Sequence, residues 1–327
     1  MTIQAVRTED LEAYRRELTG YCYRMLGSGF DAEDAVQETL LRAWRAAEDF
    51  EGRSSVRSWL YRIATNVCLD ALRAEQRRAD PMDLSGPWSA DAPLPATLPE
   101  SEWVSPIADD RVLPPDADPA EVAELRDTVR LAFVAALQHL PPKQRAVLIL
   151  REVLRWQATE VAELLDTSVA GVNSALQRAR ATLDERRPAA PVDLDEEHAA
   201  LLRRYVEAFE RYDVDTLVTL VSDDAAFTMP PFPMWLRGPK EIGAFYLGHG
   251  IGCRGSRLLP VRANGLPAFG AYKPAEGGGW EPWAIQVIET SGGRVVGLHH
   301  YIDERLFAAF GLPPRLDVDP REGEQLA

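Results

Sequence analysis

The residues best suited to act on another macromolecule lie in QATEVAELLDTSVAGVNSALQRARATLDE, residues 157–185. Val161, Ala162, Leu164 and Leu165 form one short apolar helix face, Asp166 and Thr167 supply a turn and cap, and Val169, Val172, Leu176, Ala179 and Leu183 recur at steps of three and four along a second helix. With that stripe buried, Ser174, Gln177 and Arg178 stand on the opposite face and Arg180 on its flank. A hydroxyl, a carboxamide and a guanidinium are the groups that match base edges and phosphates in a major groove, so the segment reads as a helix-turn-helix. The alternative is an ordinary helical hairpin whose polar face meets water.

A second set of candidates lies in FEGRSSVRSWLYRIATNVCLDALRAEQRR, residues 50–78. A Gly/Ser/Arg loop there precedes a helix mixing Trp59 and Tyr61 with Arg57, Arg62, Arg73, Arg77 and Arg78. Bases drawn out of a duplex need flat apolar partners while their phosphates need cations, and this mixture supplies both. Trp59 taken singly is expected in the core, with the arginines and the loop making the DNA contact. Just upstream, DAEDAVQETLLRAW (31–44) places Ala32, Val36, Leu40 and Ala43 on a buried stripe behind an expected Asp31 N-cap. Asp34, Gln37, Glu38 and Leu41 fall on the other side, an acidic face that suits a basic protein partner.

The elements that position these groups follow from the punctuation of the chain. Its 327 residues suggest two or three domains, and 46% apolar with 27% charged residues is an ordinary globular composition. Residues 8–78 contain no proline and read as one helical unit. From 79 to 119 prolines recur and residues 79–118 hold one basic against nine acidic residues, so this stretch reads as a Pro-rich acidic linker. Its aromatic patch, Trp88 and Glu102-Trp103-Val104, is too apolar for a passive spacer, and Trp103 is expected to dock the linker on a neighbouring domain. Helical periodicity returns over 120–187, where Leu125, Val129, Phe133, Leu137 and Leu140 draw one stripe up to Pro141-Pro142. From about residue 195 to 315 two helical segments precede short strand-like runs, AAFTM, SRLLPVRA, WAIQVIET and RVVGLHHYI, which predicts an α+β domain with an antiparallel sheet and then a tail, 316–327.

The net charge of −15 does not exclude nucleic acid, because the acid is concentrated in the linker and the C-terminal third. Cys22, Cys68 and Cys253 are far apart and no His cluster shows ligand spacing, so neither a disulfide framework, a metal site nor a cofactor is expected. No apolar run is long enough to span a bilayer and the charged N-terminus does not read as a signal peptide, so a cytoplasmic protein is expected.

In order and spacing these segments resemble regions 2 and 4 of an extracytoplasmic-function sigma factor, an initiation subunit of bacterial RNA polymerase. DAEDAVQETLLRAW is similar to the polymerase-binding part of region 2, SWLYRIATNVCLDALR to the part that melts and reads the −10 element, and LPPKQRAVLILREVLRWQATEVAELL with the helix after it to region 4, which reads the −35 element. The resemblance implies two all-α domains, 1–78 and 120–187. It implies that the β′ clamp helices dock on Asp34, Gln37, Glu38 and Leu41, that region 4 meets the β flap, and that the loop from Glu51 to Ser58, with Arg53, Ser54 and Arg57, captures a flipped −10 base together with Asn66. Arg73, Arg77 and Arg78 would lie near the DNA backbone, and Asn173, Ser174, Gln177 and Arg178 would read the −35 element, with Arg180 beside them. Many relatives carry arginine where this chain has Asn173.

The C-terminal domain, 195–315, resembles the SnoaL-like polyketide-cyclase fold, a cone with an apolar pocket, and sigma factors with such a domain form a subgroup thought to be regulated by it. Met229, Trp235, His249, Trp283 and His299 are the candidate pocket residues for a small apolar ligand. By strand alternation His299 shares a face with Gly297 and Tyr301, and His300 with Leu298 and Ile302, so at most one of the two faces a given cavity. No acid-base pair of a cyclase can be matched, so no catalytic residue is assigned and ligand binding without turnover is expected. The rival reading is an isomerase or hydrolase domain fused to a DNA-binding module. A plain repressor fits less well, because the acidic face of residues 31–44 has no role in it.

Overall fold

A computed structural model of the chain describes residues 11–48, 50–52, 54–74, 78–114, 118–184 and 196–320. They fall into two compact units, one built from both helical segments and residues 101–114, the other from residues 80–100 and the C-terminal third.

The first unit is all-α. Helices α1 (Arg15–Leu26), α2 (Gly29–Arg45) and α3 (Val56–Ala74) pack through Leu18, Tyr21, Cys22, Val36, Leu60, Tyr61 and Cys68, all buried. Gly27 closes α1 in the left-handed region (φ 76°), where a side chain would be strained, and its N–H returns to Tyr23 O at 2.8 Å. Ser28, not Asp31, caps α2: its hydroxyl accepts from Asp31 N at 3.2 Å. Asp31 sits in the first turn, where it is free to pair elsewhere.

The second helical segment comprises α4 (Pro119–Val129), α5 (Leu131–Gln138), α6 (Pro142–Leu148), α7 (Ala158–Leu164) and α8 (Val169–Asp184). The single stripe expected from Leu125 to Leu140 is broken at Arg130, whose extended ψ of 140° separates α4 from α5. After α6 the backbone widens into a π turn, Ile149–Val153, and Gln157 and Glu160 cap α7 reciprocally. Asp166 takes φ 50° in the turn before α8, the left-handed conformation that Asp tolerates better than most residues.

The linker expected over 79–119 divides between the two units. Residues 80–100 lie along the second one: Trp88 N donates to Trp235 O (2.6 Å), Ala90 N to Glu241 (2.9 Å) and Leu98 N to Pro231 O (2.9 Å). Residues 103–108 are buried in the first, where Trp103 forms a parallel bridge with Ala79 and Ser105 N donates to Gly27 O. A proline-rich stretch whose own secondary structure is limited to the short helical turns Pro81–Leu84, Glu100–Glu102 and Asp109–Val112 still satisfies much of its backbone on its neighbours' open groups.

In the second unit α9 (Glu196–Arg211) and α10 (Val214–Leu220) lead into a six-stranded sheet, β1 (Val221–Met229), β2 (Phe232–Arg237), β3 (Arg257–Ala263), β4 (Leu266–Pro274), β5 (Trp280–Ser291) and β6 (Arg294–Tyr301), with α11 (Gly238–Leu247) between β2 and β3. The order is β2-β1-β6-β5-β4-β3, antiparallel throughout except for the parallel pair β1 and β6, which corrects the expectation of a wholly antiparallel sheet. Phe209, Phe227, Phe245, Tyr246, Ile288 and Leu298 build the core where the helices cover one sheet face. The expected tail belongs to this unit at least through Asp319: Leu316 pairs with Trp280 in both directions, and Asp319 holds Arg257 at 2.7 Å.

Candidate nucleic-acid interface

Helix α8 is held by its buried side, Val172, Leu176 and Ala179, while Val169 at its start is 39% exposed and drops out of the expected stripe. Asn173, Ser174, Gln177, Arg178 and Arg180 are all exposed on the remaining surface. Arg178 donates to Ser174 Oγ at 2.6 Å, and Arg180 pairs with Glu152 of the π turn at 2.5 Å. An open groove of about 510 Å³ runs beside them, with Arg151, Asn173, Gln177 and Arg180 among its walls. An exposed ion pair is worth at most about 1 kcal/mol, so Arg180 can exchange Glu152 for a phosphate at small cost.

The arginines expected at melted DNA separate into distinct environments. Asn66 and Arg73 are exposed on α3, Arg73 beside Asp70 at 2.7 Å. Arg57 is half-buried: it reaches Glu17 at 3.1 Å and its guanidinium lies over the rings of Tyr61 and Trp156, 5.3 and 5.5 Å from their centroids. Burial would depress Arg57, but the hydrogen bond to Glu17 and the neighbouring charge raise it, so it stays cationic. Arg62, also exposed, donates to Glu163 O at 3.2 Å and stands 3.6 Å from that residue's carboxylate. The loop and helix that precede α8 therefore contact α3 at Arg57, Tyr61 and Arg62, burying Tyr61 while both arginines keep solvent-facing surface.

Arg78 requires a correction. It is 3% exposed, bonded to Asp31 and to the carbonyl of Trp103 (2.8 Å), so it is a structural cation that ties Trp103 to α2 and not a DNA contact. Ser54 is half-buried within the loop, two residues before α3. Arg53 and Arg77 lie outside the described residues. Trp59 is also half-buried, its ring 4.7 Å from that of Phe50.

On α2 the acidic face stands as a surface. Asp34, Gln37 and Leu41 are exposed and Glu38 is half-exposed, paired with Arg42 at 2.6 Å. Trp44, 59% exposed, extends the same stripe one turn further. The sequence reading missed it, although the i, i+3 spacing from Leu41 was there to be used.

The candidate pocket residues of the second unit have different neighbours. Met229 is buried in the core and Trp283 packs against it. Trp235 turns its indole N–H to Ser85 O (2.8 Å) and carries Arg237 over its ring, and His249 is exposed with Nε2 at 2.9 Å from Ala92 O. His299 faces away from the aromatic core toward Thr228 (2.8 Å) and Glu289 (3.8 Å). Burial would lower its pKa, but the Glu289 hydrogen bond and the charges of Glu289 and Asp80 raise it. Its neighbour His300 is the one that enters the core, with ring contacts to Phe227 (4.8 Å) and Trp283 (5.6 Å). No group of three metal-ligating side chains occurs among the described residues, and no helix among them is long and apolar enough to cross a membrane.

Comparison with known proteins agrees with this division. Family models for Sigma-70 region 2, Sigma-70 region 4 and a SnoaL-like domain match residues 11–78, 130–183 and 202–298. The chain is 45% identical over 317 residues, 93% of its length and 83% of the relative's, to the ECF RNA polymerase sigma factor SigG of Mycobacterium tuberculosis. It is 31% identical over 173 residues to SigW of Bacillus subtilis, covering 53% of this chain and 84% of SigW. Among solved structures, the M. tuberculosis extracytoplasmic function sigma factor SigJ superposes with a TM-score of 0.61 at 26% identity, over 94% of this chain and all of that one.

Proposed function

Because the chain belongs to the extracytoplasmic-function sigma factors of RNA polymerase, with a SnoaL-like domain fused behind region 4, we propose that its exposed α2 face, Asp34, Gln37, Glu38, Leu41 and Trp44, docks on the β′ clamp helices of core enzyme. Apolar Leu41 and Trp44 beside two carboxylates make a surface with an aromatic anchor and a charged rim, the composition that carries interface energy. Region 4 meets the β flap, α8 reads the −35 element through Asn173, Ser174, Gln177 and Arg178, and Asn66 and Arg73 contact the −10 strand. Arg53, Ser54 and Arg77 remain in the −10 set by their place in the sequence.

The observation that carries this reading is the contrast between α8 and α3. The base-reading side chains of α8 are exposed and held by a buried back face, while Arg57, Tyr61 and Arg62 of α3 are engaged by Trp156 and Glu163. A factor so arranged reads −35 sequence with little rearrangement, and frees its melting face only when regions 2 and 4 part on core enzyme. The fused domain, with no catalytic role of its own, sets how readily they part, and the protein acts in the cytoplasm.

Arg178→Ala tests the reading. With the guanidinium bidentate to a guanine, its loss costs about 1–3 kcal/mol, confined to one −35 position. Affinities of holoenzyme for a set of single-base −35 variants measure this, and an equal loss on every sequence would reduce Arg178 to a phosphate contact.

A further inference from the structure

Within the sigma unit a cleft of about 790 Å³ opens between α1 and the second helical segment, with Tyr14, Val112, Leu125 and Leu154 among its walls. That volume lies within the roughly 300–1,000 Å³ of small-molecule sites. Arg24 also lines the cleft, although it is only 2% exposed. Its guanidinium is held by neutral groups: Nη1 donates to Gly20 O (2.6 Å), Nη2 to Thr128 Oγ1 (2.6 Å), and Nε to the carbonyl and hydroxyl of Thr128 (3.1 and 3.2 Å). It can fold back on the helix in this way because residue 20 is glycine, where a Cβ would stand 3.0 Å from Nη1. Burial pushes Arg24 down to about 10, against an upward pull from the phenols of Tyr61 and Tyr23, so it is charged at neutral pH. No carboxylate pairs with it among the described residues.

A buried cation without a counter-ion is costly, and a cleft beside it can admit one. The carboxylates on the same walls are already answered: Glu17 by Arg57 (3.1 Å), Glu124 by Arg155 (2.6 Å), Asp127 by Arg130 (3.3 Å) and Glu152 by Arg180 (2.5 Å). Arg16, exposed at the same cleft, has no ion pair among the described residues, so Arg16 and Arg24 leave the cleft positive. A guanidinium carries five N–H groups, and the bonds to Gly20 and Thr128 leave one on each terminal nitrogen of Arg24 for an acceptor. A phosphate dianion would bring a second charge with only exposed Arg16 to meet it, whereas a carboxylate brings the single charge that Arg24 lacks. We propose that this cleft binds a small organic acid, its carboxylate on Arg24 and its apolar body between Tyr14, Leu125 and Leu154. Bound there, the acid joins α1 to α4 and the π turn and opposes the parting of regions 2 and 4. That consequence, unlike the binding itself, rests on the proposed opening of the factor on core enzyme.

The probes are 2-naphthoate and its neutral amide, 2-naphthamide, titrated into the full-length protein and followed by ligand-observed NMR. The site predicts saturable binding of naphthoate, about tenfold tighter than that of the amide or more. Arg24→Met removes the charge and should lower naphthoate affinity about tenfold while leaving amide affinity unchanged. Because Arg24 also ties α1 to Thr128, a second variant is placed on the surface: Arg16→Gln should keep the fold and weaken naphthoate about threefold. Absence of saturable naphthoate binding overturns the site. So does equal affinity for the two probes, or naphthoate affinity unchanged in Arg16→Gln and in a folded Arg24→Met. In a pull-down with core enzyme, saturating naphthoate should lower the affinity of the unsubstituted chain about threefold or more. Undiminished affinity would overturn the coupling, whereas a chain that fails to bind core enzyme even without naphthoate would contradict the polymerase reading and not the site.

Discussion

Replacing Asp34 and Glu38 together by lysine is expected to lower affinity for core RNA polymerase about a hundredfold or more while the protein stays folded. The region-2 docking surface on polymerase is basic in this account, and like charges brought together across an interface cost several kcal/mol, of which about 3 kcal/mol already gives that factor. The fold should tolerate the change, because Asp34 is exposed and the Glu38–Arg42 pair is a half-exposed i, i+4 contact worth only a few tenths of a kcal/mol. Quantitative pull-down with core enzyme measures the effect, with thermal unfolding as the control. Undiminished core binding by a folded double variant would remove α2 from the polymerase interface.

Trp103→Ala is expected to destabilise the sigma unit by about 3–5 kcal/mol, the range for emptying a buried aromatic site, which lowers its melting temperature on the order of 10 °C. Trp103 is 3% exposed, bridges Ala79, and presents its carbonyl to Arg78, which in turn holds Asp31. Trp103 is thus buried where residues 103–105 meet Ala79, Arg78 and the end of α1. Scanning calorimetry of the full chain measures the shift. A linker tryptophan that merely tethered a mobile domain would change transcription with no such loss of stability, and an unaltered melting transition would restore that reading.

Trp103 also shows where the sequence ran out of information. Its apolar surroundings were legible as a sign of docking, but the partner was not, because Ala79 and Gly27 recruit this strand by backbone hydrogen bonds that carry no side-chain pattern. Arg78 failed for the same reason. In the sequence it continues a basic run with Arg77, and only the fold brings Asp31, 47 residues earlier, against it. By contrast, α8 was readable almost residue by residue. Its buried side is short, periodic and local, and the polar positions opposite follow from helix geometry alone.

In the SnoaL-like domain β2 and β4 escaped detection. LPAFGAYKP contains two prolines and a glycine yet lies with its first seven residues buried in the sheet interior, where neither alternation nor β-propensity marks it. Alternation did separate His299 from His300. It could not say which face the helices cover, and in the structure it is His300, not His299, that enters the aromatic core. Trp44 was overlooked on a helix that was otherwise correctly patterned, since an exposed aromatic is invisible to a search for buried stripes.

The central claim is that this chain directs core RNA polymerase to a promoter through paired −35 and −10 recognition. Run-off transcription from a pool of templates randomised over both elements, with core enzyme alone and with core enzyme plus the full-length protein, tests it most directly. The account predicts transcripts that require the added chain and whose templates share a −35 sequence and a −10 sequence at fixed spacing. A transcript population indistinguishable from that of core enzyme alone would contradict it.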